Sequence, residues 1–399
     1  MVLRTEENNN VVVGASVAGL FAAYQLARAG ERVQVYEAQA ELMSEARTLI
    51  VTPAWLDLFD FDASAAVLNR TRIFELYSRG ASARIPLREP DVIMERVTFL
   101  RLLARKVRAA GGELIMGHRF EGLASGGGGE PLNLRFRTAQ GVTHVDATTV
   151  IGADGVHSAV ARAVGRDGLL DEVTLLQARV ALPPDLASDT VRCWFERDRT
   201  RFFYWLIPQS EDEGVVGLIG DTEAQTHAAL EHLMATQDLD PIEYQEEAWT
   251  PIFSPRFQPE IALGAGRVLL VGDAAGQVKV TTVGGVVTGM AGAAAAARSI
   301  LRGTSYTGEL RSLRWELSMH ALVRHVLDGF TDAEYDQLLQ LLNRQAVRVL
   351  SQYHRDELAR ALWRLLPAQP QWLSLGARAV MQRLLGEGQR LYDVATRSA

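Results

Sequence analysis

Three stretches of small residues, each following an apolar run, carry the chemistry of this 399-residue chain. The first is VVVGASVAG, residues 11–19. Gly14 permits a tight turn, and the small Ser16 lets backbone N–H groups approach a diphosphate. Gly19 lets a helix pack close to the preceding strand. The helix that opens at Val17 and Ala18 turns the positive end of its dipole towards those phosphates. A second apolar run, RVQVY, leads into Glu37-Ala38. Glu37 lies 23 residues after Gly14, where a carboxylate accepts hydrogen bonds from a ribose diol and repels a 2′-phosphate. A glycine-bearing turn can also serve packing alone, but the acid at this distance points to a dinucleotide, FAD or NAD and not NADP.

The second stretch, VIGADGVHSAVAR at 150–162, brings Asp154 and Gly155 to the end of another strand. The third, RVLLVGDAAGQVKVTTVGGVVTGM at 267–290, ends a strand in Gly272-Asp273 and opens an Ala-rich helix at Gly284-Gly285-Val286. Asp273 is placed to accept a hydrogen bond from a ribityl chain. N–H groups at the start of that helix suit the pyrimidine edge of an isoalloxazine, which gains negative charge on reduction. Each aspartate alone also fits an ordinary turn. The three signals in this order point to FAD.

The elements that position these residues follow from periodicity. Strand-like runs fall at 10–13, 32–36, 113–116, 132–137, 143–151, 202–207, 214–218 and 267–271. Helical patterns fall at 17–29, 96–110, 157–164, 222–236 and 284–301. After about residue 306 only amphipathic helices remain. The prediction is an α/β fold: a Rossmann-like FAD-binding domain, a mixed β-sheet substrate domain and a helical C-terminal region. The expected boundaries are 1–75, 93–170 and 259–305 for the FAD-binding parts. Residues 76–92 and 171–258 make the substrate domain, and 306–399 the helical region. SGGGG at 125–129 reads as a flexible loop between strands.

Composition sets limits. The formal charge of -7 argues against nucleic acid. Cys193 is the only cysteine, so a disulfide within the chain and a Cys-based metal cluster are excluded. No metal site is expected, and no leader precedes the first strand, so the expected location is cytoplasmic. Lys106 and Lys279 are the only lysines.

Taken together, the three segments resemble the FAD-dependent aromatic hydroxylases and their relatives. GDAAGQVKVTTVGGV resembles the geranylgeranyl reductase branch, as does the tail YTGELRSLRWEL…FTDAEYDQLL. The resemblance implies that Gly14, Ser16, Ala18, Gly19, Glu37, Arg96, Asp154 and Asp273 hold FAD. Arg96 opens the helix RVTFLRLLARKVRAAG, and Arg47, in ARTLIVTP, is a further contact near the flavin. In the reductases a Tyr-x-Trp-x-Phe-Pro strand lines the lipid pocket; here Phe203, Trp205, Ile207 and Pro208 stand at those positions. Strand alternation puts Phe203, Trp205 and Ile207 on one face, either a wall over the flavin and substrate or a core face. Lys279 either stays cationic near the flavin and stabilises its reduced, anionic ring, or is a surface lysine.

The chain also departs from the branch. Val280 replaces the proline after the loop lysine, and residues 38–50 lack the cysteine that many archaeal reductases carry there. The resemblance to flavin-dependent halogenases implies a lysine between flavin and substrate; neither Lys106 nor Lys279 stands at that position, which disfavours halogenation. The leading expectation is an FAD-dependent oxidoreductase that reduces a double bond of a hydrophobic substrate. The alternative is a monooxygenase using a C4a-hydroperoxide on an aromatic or polyketide-like ring; a non-enzymatic alternative is a flavin-stabilised binding protein. No second GxGxxG unit is visible. NAD(P)H would therefore bind only transiently, or ferredoxin or a flavin reductase would supply electrons. A membrane surface is an allowed partner of the tail helices but not the favoured one, since amphipathic helices are usually packed helices.

Overall fold

The computed structural model describes residues 9–42, 47–125, 130–245 and 247–381. They form two compact units. The first comprises the described residues up to Leu68, Met94–Glu172 and Trp249–Ser318; the second comprises Asn69–Ile93, Val173–Ala248 and the described residues from Met319.

The first unit is built on a six-stranded sheet. Its order is Glu260–Leu263, Gly266–Leu270, Thr149–Gly152, Asn10–Val13, Val33–Tyr36, Glu113–Ile115. All pairs are parallel except the first, a hairpin. Val11, Val12 and Val13 are buried, as an unbroken apolar run in the middle of a parallel sheet should be. The helix Val17–Arg28 follows at once and packs against the helices Arg96–Ala109 and Val286–Arg302. On the other side, an antiparallel sheet of Arg119–Ser125, Leu132–Thr138 and Gly141–Ala147 closes the core, where Tyr36 stacks on Phe136 at 4.4 Å.

The run at 143–151, expected as one strand, is two. Gly141–Ala147 belongs to the small sheet and Thr149–Gly152 to the parallel one, with the change of sheet at Thr148. Both halves are β-rich, so periodicity carries no mark of the break.

The second unit is a mixed sheet in the order Pro241–Tyr244, Glu172–Ala181, Glu213–Gly220, Tyr204–Pro208, Thr190–Trp194, Val67–Tyr77, Ser82–Glu95. Thr190–Trp194 and Val67–Tyr77 run parallel. The helix Glu223–Thr236 covers one face, burying Leu230 and Leu233 against Leu176, Val216 and Leu218. The helices Asp332–Gln340, Arg344–Gln352 and Leu358–Ala368 and helical residues 371–381 complete the unit. The long hairpin begins at Val67, earlier than the expected 76. Its first strand, VLNRTRIFELY, is half-exposed for most of its length and lacks a clean apolar alternation. Residues 306–318, expected in the helical tail, belong to the first unit.

Candidate functional site

The three segments meet in the first unit. Gly14 has φ +98°, and a side chain there would strike the Ala153 carbonyl at 2.6 Å. A Cβ on Gly19 would lie 2.2 Å from the Gly14 carbonyl. The loop therefore sits on the second segment with no room for substituents. Gly272, at φ +63°, brings the third segment within reach of Ala18, whose Cβ is 3.0 Å from where a side chain on Gly272 would begin. Gly14, Ser16 and Val17 keep accessible surface, while Ala18 and Gly19 are buried behind them.

Two residues brace this loop. Ser16 caps the first helix, its Oγ accepting from Gly19 N at 3.2 Å. Glu37 accepts from Ala15 N (2.8 Å) through one oxygen and from Gln39 N (2.9 Å) through the other. Each oxygen retains lone-pair capacity for a ribose hydroxyl. Ala38, beside it, is half-buried.

Asp154 is more committed. Its carboxylate accepts from Ser158 Oγ at 2.6 Å and from Val160 N at 3.0 Å. Burial raises its pKa and these hydrogen bonds partly offset the rise. It braces the short helix Ala159–Ala163, whose N-cap is Ser158. His157 pairs with Glu172 at 3.2 Å. Gly155, next to Asp154, has φ +87°.

Around Asp273 the charges converge. Burial raises the Asp273 pKa, and the guanidiniums of Arg96 and then Arg47 oppose that rise. Arg96 N donates to the Arg47 carbonyl at 3.3 Å, tying the start of the second long helix to the segment before Thr48. Glu95, not Arg96, caps that helix, accepting from Val97 N and Thr98 N. A Cβ on Gly285 would lie 3.2 Å from Asp273 Oδ1, so glycine leaves room for the carboxylate. Gly285 is also the N-cap of Val286–Arg302, and no side chain caps it. The first N–H groups of this helix therefore receive no side-chain acceptor at the N-cap.

Lys279 is buried, at 4 % exposure, and is not a surface lysine. Its backbone bridges to Gly284, with Lys279 N donating to Gly284 O at 3.2 Å. Its side chain lies over Gly284: Cε is 3.4 Å and Nζ 3.8 Å from where a Cβ would stand.

Sequence reasoning missed the support under this loop. Gln277 Oε1 accepts from Gly272 N at 2.8 Å, and its Nε2 donates to Tyr306 Oη at 2.8 Å. Tyr306 Oη donates onward to Leu270 O at 3.0 Å, and Thr288 Oγ1 donates to Gln277 O at 2.5 Å. All of it is buried, which makes each bond costly to lose. The available signal was Gly292, a glycine inside an otherwise Ala-rich helix.

In the second unit, Tyr204 and Leu206 face the Glu223–Thr236 helix, so Trp205 and Ile207 face the other way. The core under that helix is therefore not where Trp205 packs. Phe203 precedes the strand and meets the Trp205 ring edge-on at 5.8 Å. Trp205 lies over Gly217 of the neighbouring strand; a side chain there would meet its ring at 2.7 Å. The Trp205 Nε1 is buried and has no hydrogen-bond partner. Cys193, opposite Trp205 across the strands, has its thiol pushed up to about 12 by burial, so it supplies no thiolate.

The first unit is thus a nucleotide-binding site. Glycine turns fit a diphosphate, Glu37 fits a ribose, and an uncapped helix start lies beside a buried carboxylate. These features fit FAD, and the protein is a flavoenzyme of the FAD oxidoreductase class. Residues 7–312 match the FAD binding domain family, and the chain belongs to it. It is 30% identical to digeranylgeranylglycerophospholipid reductase 2 of Methanothermobacter thermautotrophicus over 83% of this chain and 91% of that one. The reductase 2 of Methanopyrus kandleri is 28% identical over 70% and 73%. Among solved structures, a geranylgeranyl bacteriochlorophyll reductase-like protein of Thermoplasma acidophilum superposes with a TM-score of 0.78 at 17% identity, covering 92% of this chain and 99% of that one. The flavin-dependent halogenase CmlS superposes at 0.68 with 17% identity, covering 93% and 78%. At these identities the solved structures establish the fold alone. Among the described residues, no helix is long and apolar enough to cross a membrane.

Proposed function

We propose that this flavoenzyme reduces isolated double bonds in the polyprenyl chains of a lipid. The observation that carries this reading is the 30% identity to a digeranylgeranylglycerophospholipid reductase over 91% of that protein's length. Bound FAD would supply an electron pair as hydride to one alkene carbon, and a proton drawn from solvent water would complete the other carbon. Everything else falls to this chain's residues. Gly14 to Gly19 hold the diphosphate at the first helix start, and Glu37 accepts the ribose hydroxyls. Asp273, kept by Arg47 and Arg96, accepts from the ribityl chain. The uncapped start at Gly284, Gly285 and Val286, with Lys279 folded over Gly284, favours negative charge on the ring edge. Asp154 and Gly155 support this assembly from beneath.

Phe203, Trp205 and Ile207 line the substrate's apolar chain, with the large Trp205 ring excluding water. The electron source is NAD(P)H bound in passing, or a protein donor such as ferredoxin or a flavin reductase. On this reading the protein is cytoplasmic.

The test is anaerobic incubation of the dithionite-reduced protein with a phospholipid bearing geranylgeranyl chains, followed by mass spectrometry. Added hydrogen on the chains, with reoxidation of the flavin, is the expected result. An unchanged lipid, together with oxygen insertion into an aromatic substrate in air, overturns the reading in favour of a monooxygenase.

A further inference from the structure

The helix Leu358–Ala368 has two unlike faces. Ala361 and Leu365 are buried against Ala346, with Leu350, Tyr353 and Trp372 packed beside them. On the other face Arg360, Trp363, Arg364 and Pro367 are all exposed, at the spacing of one helical stripe. Trp363 is 75% exposed, the most of any large apolar side chain among the described residues. The next segment repeats the arrangement. Leu375 and Ala379 enter a core with Phe330 and Tyr335, while Leu373 (57%) and Met381 (59%) point outward beside Arg378.

Charge separates this region from the rest of the chain. Residues 344–381 hold six arginines against Asp356 and Glu357, a net of +4 in a protein whose net charge is -7, although Arg355 turns inward to the buried Asp91 at 2.6 Å. Of the outward arginines, Arg360 pairs with Glu357 at 2.8 Å. A tryptophan and aliphatic side chains framed by arginine have the chemistry of a bilayer interface. The indole sits at headgroup level and the guanidiniums meet anionic headgroups. A two-fold dimer through this face would set arginine against arginine, which disfavours a second copy as its occupant.

We propose that the outward faces of Leu358–Ala368 and of residues 371–381 dock this protein on an anionic lipid bilayer, lying on it and not spanning it. The proposal deepens the reading above, since it delivers the protein to a lipid substrate, but its test reads binding and not turnover.

The experiment is co-sedimentation of the FAD-loaded full chain with vesicles of phosphatidylcholine and phosphatidylglycerol, against vesicles of phosphatidylcholine alone. Binding should require the anionic lipid and weaken with added salt. Trp363→Ala should weaken it about tenfold through the lost interfacial anchor. Arg360→Gln and Arg364→Gln should each weaken it about fivefold, the effect of one cation near such a surface. Flavin absorbance of the variants should match the parent, which shows that they fold. Three results overturn the proposal: no vesicle binding, binding that is equal on neutral vesicles, or binding untouched by Trp363→Ala. A fourth is a parent dimer that Trp363→Ala splits in sedimentation velocity, which assigns the face to a second copy. Vesicle binding without reduction of the polyprenyl lipid would sink the proposed function alone.

Discussion

The side-chain amide of Gln277 occupies the space that a side chain on Gly292 would need: a Cβ there would lie 1.9 Å from Gln277 Oε1. Gly292 lies inside the helix Val286–Arg302, where alanine is better by about 1 kcal/mol on propensity alone. Gly292→Ala is nevertheless expected to destabilise. The displaced amide would leave the buried Gly272 N–H without its acceptor, at a cost of about 1–3 kcal/mol, and would break the Gln277 Nε2 bond to Tyr306 Oη, which keeps only its bond to Leu270 O. Clash and lost bonds outweigh propensity, for a net loss of about 2–4 kcal/mol. Urea denaturation should show an earlier midpoint, and purified protein should carry less flavin because the Gly272-Asp273 turn is no longer held. A variant as stable as the parent would mean that the Gln277 network does not hold the turn.

Glu37 serves the loop and, on our reading, the ribose. Glu37→Ala removes the acceptor of Ala15 N and Gln39 N together with that of the ribose diol. Loss of hydrogen bonds to a charged acceptor, worth about 1.5–3 kcal/mol, corresponds to a tenfold or greater loss of flavin affinity. Equilibrium dialysis measures it. Glu37→Gln keeps one acceptor and should fall between the two. If flavin affinity in Glu37→Ala equals the parent's, the ribose assignment is wrong.

What was legible in the sequence was whatever local chemistry dictates. Three valines, a glycine turn and an acid after the next strand specify Asn10–Val13, Val17–Arg28 and Val33–Tyr36 without tertiary information. The ends of strands at Gly152 and Leu270 could be read for the same reason. What could not be read depends on partners far along the chain. The Thr148 break between two sheets leaves no local mark. The strand Val67–Tyr77 derives its stability from pairing with Thr190–Trp194, more than a hundred residues later. Gln277 gains meaning only once Tyr306 and Gly292 lie beside it. Lys279 reads equally as a cation beside the flavin or as a surface lysine until its burial is seen.

Asp273 should make stability depend on pH with an uncommon sign. Burial raises its pKa in the folded protein, and Arg96 and Arg47 only oppose this. Folded protein then binds more protons than unfolded protein, so stability falls as pH rises from the usual carboxylate range through the raised value. Asp273→Asn removes the buried charge. In the flavin-free protein it should raise the melting temperature at neutral pH, and the gain should vanish at acid pH, where the parent carboxyl is already neutral. Arg96→Gln should move the other way at neutral pH, because it takes away the larger of the two opposing interactions. A melting-temperature difference between parent and Asp273→Asn that stays flat with pH would show that the carboxylate carries no such burden.

Trp205 separates a substrate wall from a scaffold residue. It is buried, stands away from the core beneath Glu223–Thr236, and leaves its Nε1 without a partner. Trp205→Ala would create a large cavity and cost about 3–5 kcal/mol, so loss of activity there would not discriminate. Trp205→Phe keeps an aromatic ring against Phe203 while removing the indole N–H and part of the wall. The expected outcome is full flavin content, a melting temperature within a few degrees of the parent, and a raised KM for a polyprenyl lipid with a smaller change in kcat. That split follows if the ring contributes binding common to ground and transition states. If Trp205→Phe lowers the melting temperature and leaves both kinetic constants unchanged, the ring is scaffold, and the substrate wall must be sought on other strands of the mixed sheet.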